Sequence, residues 1–154
     1  MAAVHFRKVD LADVPQLVRL PRDGEAGGDP RMLQYLAGEH HPQQALLPRV
    51  MWMAANGDSP MGYVAGHLTR RFGCDGELQW IYVVPEHRRS QVASKLLRLL
   101  AGWFLEHGAR RICVDVGDDE ARPFYRRHGA VELDRHWMMW NDIGGILGKS
   151  AAAT

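Results

Sequence analysis

Apolar residues recur along the chain in two rhythms, every second position in some stretches and every third or fourth in others. Alternation over residues 4–9 predicts a first strand. Asp10 then precedes residues 11–20, which read as a helix with an acidic start. Residues 21–30, glycine-rich between Pro21 and Pro30, form a loop. A short helix over 31–37 ends at Gly38, with a further turn near 43–47. Strands 50–55 and 61–69 flank Asn56-Gly57, the strongest short hairpin signal. Gly73 to Gly76 marks a second turn, and residues 77–84 are the most β-prone run, stopped by Pro85. Val92, Leu96, Leu99, Leu100, Trp103 and Phe104 share one face of a helix over 91–107, with Gly108 as its end. A strand over 111–116, a short helix up to His128 and strands 131–134 and 136–141 complete the pattern.

This order, β-α-α-β-β-β-α-β-α-β-β, describes a mixed α/β (α+β) domain rather than a doubly wound one. The strand-helix-strand crossover over 77–116 should be right-handed and make that strand pair parallel. At 154 residues the chain suits one domain, expected over 1–145, with 146–154 as a loose tail.

Charge narrows the classes. Nineteen basic against 18 acidic residues give +1, no basis for binding nucleic acid by bulk charge. Apolar runs fall short of the roughly 18 residues a membrane span needs. Without a signal-like start, and with Cys74 and Cys113 in different elements, the expected location is the cytoplasm. His40-His41 is the single adjacent histidine pair, and without further ligands at helical or hairpin spacing no metal is expected.

The chemistry concentrates between Val83 and Leu97, where an apolar run meets an amphipathic helix through a loop carrying Arg88 and Arg89. A helix start presents free N–H groups and partial positive charge, so the turn reads as a site for a phosphorylated ligand. Val83, Pro85, Arg88, Ala93, Leu96 and Leu97 fall on the pattern Val-x-Pro-x-x-Arg/Gln-x-x-Gly-x-Gly/Ala followed by a leucine pair. Asp118, Ala121, Phe124, Tyr125, Gly129 and Ala130 fall on a second pattern, Asn-x-x-Ala-x-x-Leu/Phe-Tyr-x-x-x-Gly-Phe, one crossover strand later. With both patterns in register, the chain resembles the GNAT acyl-CoA-dependent N-acetyltransferases. The resemblance departs at Gln91, where the family usually has Gly, and at Asp118, where it usually has Asn.

The resemblance implies a mostly antiparallel twisted sheet with one parallel strand pair splayed at the coenzyme A site, flanked by helices. It implies acetyl-CoA as co-substrate, cradled by Ile81, Tyr82, Val83, Arg88, Arg89, Ser90, Gln91, Val92, Ala93, Ser94 and Asp118. Oxyanion donors are expected from the strand ending at Val83 and Val84, through a bulge. Small residues in the turn let a pyrophosphate approach, which Ala93 satisfies and Gln91 does not. Tyr125 stands where family members often place the acid that protonates the departing thiolate.

For the base, Glu77 opens the central strand where some members carry a catalytic carboxylate; a strand-end surface charge is the alternative. Asp115 is a weaker candidate, and Gln79 would share the face of Glu77 in a regular strand but cannot take up a proton. Arg122, Arg126 and Arg127 make a basic edge, toward the nucleotide's 3′-phosphate or simply solvated. Trp52, Trp80, Trp137, Trp140 and Met51, Met53, Met138, Met139 read as sheet core, with a homodimer reasonable if the last strand exposes them. Acceptor choice is expected in residues 21–48, where Asp23, Glu25, Asp29 and Glu39 would suit a cationic amine. The acceptor is a small-molecule primary amine in the leading reading. A protein lysine or α-amine, or acyl-CoA binding without catalysis (the reading Gln91 favours), are the alternatives.

Overall fold

The strand rhythm closes into one seven-stranded sheet in a computed structural model that describes residues 4–20, 30–88, 91–117 and 121–147. Strands β1 (Val4–Lys8), β2 (Ala45–Asn56), β3 (Ser59–Thr69), β4 (Gly76–Val83), β5 (Ile112–Asp115), β6 (Val131–Asp134) and β7 (Trp137–Trp140) lie in the order β1-β2-β3-β4-β5-β7-β6. Among the described residues β4 and β5 are the parallel pair, and the other neighbours run antiparallel. Helices are α1 (Val14–Val18), α2 (Met32–Ala37), α3 (Val92–Glu106) and α4 (Arg122–Arg127).

Period-two alternation sorts the core onto two faces. Along β2, Val50 and Ala54 join the cluster under α3, with Leu96, Leu97, Leu100 and Phe104. Met51, Met53 and Ala55 point the other way, into the cluster with Val14 and Leu17 of α1 and Met32 and Tyr35 of α2. The backbone of β4 approaches α3 closely at Gly76. A Cβ there would lie 2.4 Å from Phe104 Cε1.

Two elements differ from the sequence expectation. The helix expected over 11–20 divides into a 3-10 turn (Leu11–Asp13) and α1, with Pro15 in the first α turn, where its missing N–H is harmless. The turn expected near 43–47 is shorter, because β2 already begins at Ala45. Its register with β3 shifts between Leu46 and Arg49, so Pro48 sits at an irregularity rather than inside a ladder.

Met138, Met139 and Trp140 of the last strand are buried inside the fold, and Trp137 is half-buried, so the exposed Trp and Met expected as a possible dimer seam are not found there. Cys74 and Cys113 are free thiols buried beside Met139. Burial pushes the Cys113 thiol far above its ordinary range, and the neighbouring Glu77 adds to this. Among the described residues no helix is long and apolar enough to cross a membrane.

Candidate active site

The site is built on an irregularity in β4. Ala65 of β3 pairs with Trp80 and Gly66 pairs with Leu78, which leaves Gln79 as an extra residue. The bulge reverses the side-chain phase. Leu78 faces α3, yet Trp80, Tyr82 and Val84 face α1 and α2, with Ile81 and Val83 back toward α3. The bulge therefore lies at Gln79, nearer the strand's start than the expected position before Pro85, and the regular-strand relation between Glu77 and Gln79 does not hold.

Beyond the bulge β4 also leaves its parallel neighbour. Pairing with β5 covers Gly76, Glu77 and Leu78 and ends there. The Val84 N–H reaches the Met61 carbonyl on the β3 side at 2.8 Å. Alternation then turns the N–H groups of Ile81 and Val83 toward the gap. Arg88 closes the end of the strand, its Nε donating to the Val83 carbonyl at 2.9 Å and its guanidinium lying 5.5 Å from the Tyr82 ring centroid.

A cleft of about 690 Å³ opens beside this gap, lined by β4 at Ile81–Val83, by the start of α3 and by α4. Arg88 and Arg127 give its wall a positive character, and His87, Ala93, Ser94, Phe124, Tyr125 and His128 complete it. Val92 is buried in the core with its side chain turned away, so its backbone alone can serve a ligand. Arg89, Ser90 and Asp118 lie outside the described residues. Arg122 and Arg126 both pair with Glu132 on an exposed face, in keeping with the solvated-edge alternative, and Arg127 is the member of that trio on the cleft.

Gln91 precedes α3 with φ +69, in the left-handed region. Glycine suits this position because of backbone conformation. Obstruction of the ligand by a side chain, the cause expected from sequence, is not needed to explain the preference. Gln91 nonetheless lines the cleft with an exposed side chain.

Tyr125 is 4% exposed and packs edge-on to Trp140, with ring centroids 5.8 Å apart. Burial raises its hydroxyl well above the usual phenol range, so it remains protonated and able to donate.

A second cleft, of about 560 Å³, lies where Glu77 points, toward the α1–α2 side of the sheet. Its wall includes Gln43, Arg71, Glu77, Gln79, Asp115 and Trp137. Glu77 is 4% exposed, so it is a buried carboxylate and no surface charge. Arg71 Nε donates to its Oε1 at 3.2 Å, while the Arg71 guanidinium stacks 4.6 Å from the Trp137 centroid. Asp115 is exposed at the cleft, and its Oδ1 accepts the Gly117 N–H at 2.9 Å. Gln79 Oε1 is buried with no hydrogen-bond partner among the described residues. Of the acidic set expected to face an acceptor, Asp23, Glu25 and Asp29 lie outside the described residues, and Glu39 is absent from this cleft's lining. His41 is engaged by Arg49, 2.7 Å away. Among the described residues no group of three His, Cys, Asp or Glu could hold a metal.

Comparison with known proteins fits this geometry. The profile of the Acetyltransferase (GNAT) family matches residues 19–130, well over half the chain. The chain belongs to the GNAT acetyltransferase family. The family's chemistry is acyl transfer from acetyl-CoA, and the parted β4–β5 pair is its expected fold feature. Ard1 from Thermoplasma volcanium is similar over 92% of this chain and 98% of its own, at 16% identity and a TM-score of 0.68. An acetyltransferase of the GNAT family from Staphylococcus aureus Mu50 is similar over 92% and 99%, at 14% identity and TM-score 0.66. The PaiA N-acetyltransferase from Thermoplasma acidophilum, solved in complex with coenzyme A, is similar over 89% and 97%, at 14% identity and TM-score 0.62. No curated protein matches the chain in sequence.

Sequence reasoning on this GNAT domain missed Tyr35, His67, Arg71 and His128. His67 and Glu77 are register partners in the β3–β4 hairpin, which centres near residue 72. The visible turn signal, Gly73 to Gly76, centres two residues later and would put Glu77 opposite the wrong residue.

Proposed function

We propose that the protein transfers an acetyl group from acetyl-CoA to the primary amine of a small molecule, by direct attack with both bound. The observation that carries this reading is the parting of β4 from β5 after Leu78, which leaves a gap between the two clefts. The larger cleft fits coenzyme A. Its side chains Arg88 and Arg127 and the N–H groups at the start of the fifteen-residue α3 suit a pyrophosphate, and Ala93 keeps the approach low. The Ile81 and Val83 N–H groups suit the pantetheine amides and the carbonyl oxygen. The smaller cleft, with Glu77 and the exposed Asp115 in its wall, suits a compact cation.

Acetyl-CoA supplies the thioester carbon, at which the C–N bond forms as the C–S bond breaks. Glu77 takes the proton that the ammonium must lose before its lone pair is free, directly or through a water. Backbone N–H groups of β4 offset the charge developing on the carbonyl oxygen. Tyr125 gives its proton to the departing sulfur, the nitrogen sheds its second proton to solvent as the amide forms, and solvent restores the Tyr125 hydroxyl.

Calorimetry with acetyl-CoA, followed by thiol release over a panel of small amines and peptides, tests this. Binding plus release with a small amine is expected. Release with peptides alone would move the acceptor to a protein α-amine or lysine. Binding without release would leave an acyl-CoA-binding module.

A further inference from the structure

Behind the wall of the smaller cleft a buried polar chain runs away from Glu77. His67 on β3 is wholly buried, a costly place for an imidazole unless its nitrogens are used. Its Nδ1 lies 2.8 Å from the hydroxyl of Tyr35, itself wholly buried on α2. Its Nε2 faces Glu77 Oε1 at 3.6 Å and has no hydrogen-bond partner among the described residues. Burial holds the Tyr35 hydroxyl far above its ordinary range, so it stays protonated. No acceptor other than Nδ1 faces that hydroxyl among the described residues. The O–H therefore donates to Nδ1, and the ring proton sits on Nε2, aimed at the carboxylate.

Arg71 Nε and His67 Nε2 thus converge on the same oxygen of Glu77. Oε2 has no partner among the described residues and is left for the cleft. The distance of 3.6 Å is long for a hydrogen bond, as catalytic contacts in ligand-free sites often are.

Resting on the reading of Glu77 as the base, we propose that His67 is a positioning residue, locked by Tyr35, that steadies Glu77 Oε1 so that Oε2 receives the acceptor's proton. The surroundings are closed. Arg49 of β2 is the register partner of His67 on its other side, with its guanidinium 4.7 Å from the Tyr35 ring. Cys113 of β5 is the register partner of Glu77 and remains a thiol. Arg71 follows β3, and Trp80 of β4 packs edge-on against Tyr35 at 4.9 Å. Among the described groups facing His67, Glu77 is thus the one anion, and it lines the cleft.

Two measurements on the full chain test this. Long-range proton–nitrogen NMR, with His67 assigned by its loss in His67→Gln, is expected to show the Nε2–H tautomer. The Nδ1–H tautomer overturns the proposal, with no need of turnover. With the best amine from the panel, Tyr35→Phe and His67→Phe should lower kcat about tenfold. They should leave the KM for acetyl-CoA nearly unchanged and move the acid limb of the pH–rate profile. His67→Gln, which keeps an N–H, should recover part of the loss. An acid limb fixed in every variant overturns the proposal, because a packing role alone would not move it. Failure of the base reading looks different: Glu77→Gln would then turn over like the parent.

Discussion

Ser94 Oγ lies 2.9 Å from His128 Nε2, which fastens the first turn of α3 to the end of α4 across the larger cleft. His128 Nδ1 is 2.8 Å from the Phe124 carbonyl and must donate to it, so Nε2 accepts the serine hydroxyl proton. Ser94→Ala should cost about 1 kcal/mol of stability and weaken acetyl-CoA binding several-fold. Melting and calorimetry read both, and unchanged affinity would mean that the latch does not shape the cleft.

Tyr125→Phe removes one hydroxyl and leaves the ring against Trp140 in place. Turnover should fall about tenfold or more while acetyl-CoA affinity stays within about twofold. A parent-like rate would hand the proton donation to solvent.

At Gln91 the left-handed backbone is a strain that glycine relieves. Gln91→Gly should raise stability by up to about 1 kcal/mol, after the added freedom of the unfolded chain is counted. Chemical denaturation measures it, and a clear loss of stability would show that the Gln91 side chain contributes more than the backbone strain removes.

Arg7 donates to both oxygens of Asp13 at 2.7 Å, and the Asp10 N–H adds a third contact at 3.0 Å. The guanidinium holds the Asp13 carboxyl down at about 2. A lowered folded-state value means that this stability is fully present above the ordinary carboxylate range, from about pH 4 upward. It is lost as pH falls from there toward 2. Asp13→Asn should therefore lower the melting temperature at neutral pH, with the gap to the parent closing in acid. A gap independent of pH would assign the effect to packing.

Gly76→Ala would drive a methyl to 2.4 Å from Phe104 Cε1 and 2.9 Å from Ile112 Cδ1. Overpacking of this kind costs roughly 1–3 kcal/mol. Phe104→Leu in the same chain should recover part of it, and additive losses in the double variant would place the clash elsewhere.

Most of the scaffold was legible because its signals are local. Asn56-Gly57, Pro85 and the apolar face of α3 act within a turn or two of where they stand in the sequence, although Leu97 and Ala101 are buried in that face and Leu99 is not. The motif around Arg88 and the one around Tyr125 were legible for the same reason. What escaped depends on register. A bulge at Gln79 leaves no mark in composition, yet it decides which face Trp80 and Ile81 occupy. Likewise, nothing near His67 says that it stands across from Glu77, since the nine intervening residues and the tight turn at Arg71–Gly73 determine that pairing. Val92 was placed at the cofactor by its position in the motif, while its side chain answers to the core.

The rungs missing between β4 and β5 have a thermodynamic consequence. Among the described residues no neighbouring strand pairs with the gap-facing side of Ile81 and Val83, so this seam lacks the internal bonds that join Gly76–Leu78 to β5. On the proposed reading, the pantetheine arm acts as a borrowed strand that zips the seam shut. Amide exchange along β4 should then slow when acetyl-CoA binds, making the donor a structural part of the enzyme before the acceptor arrives.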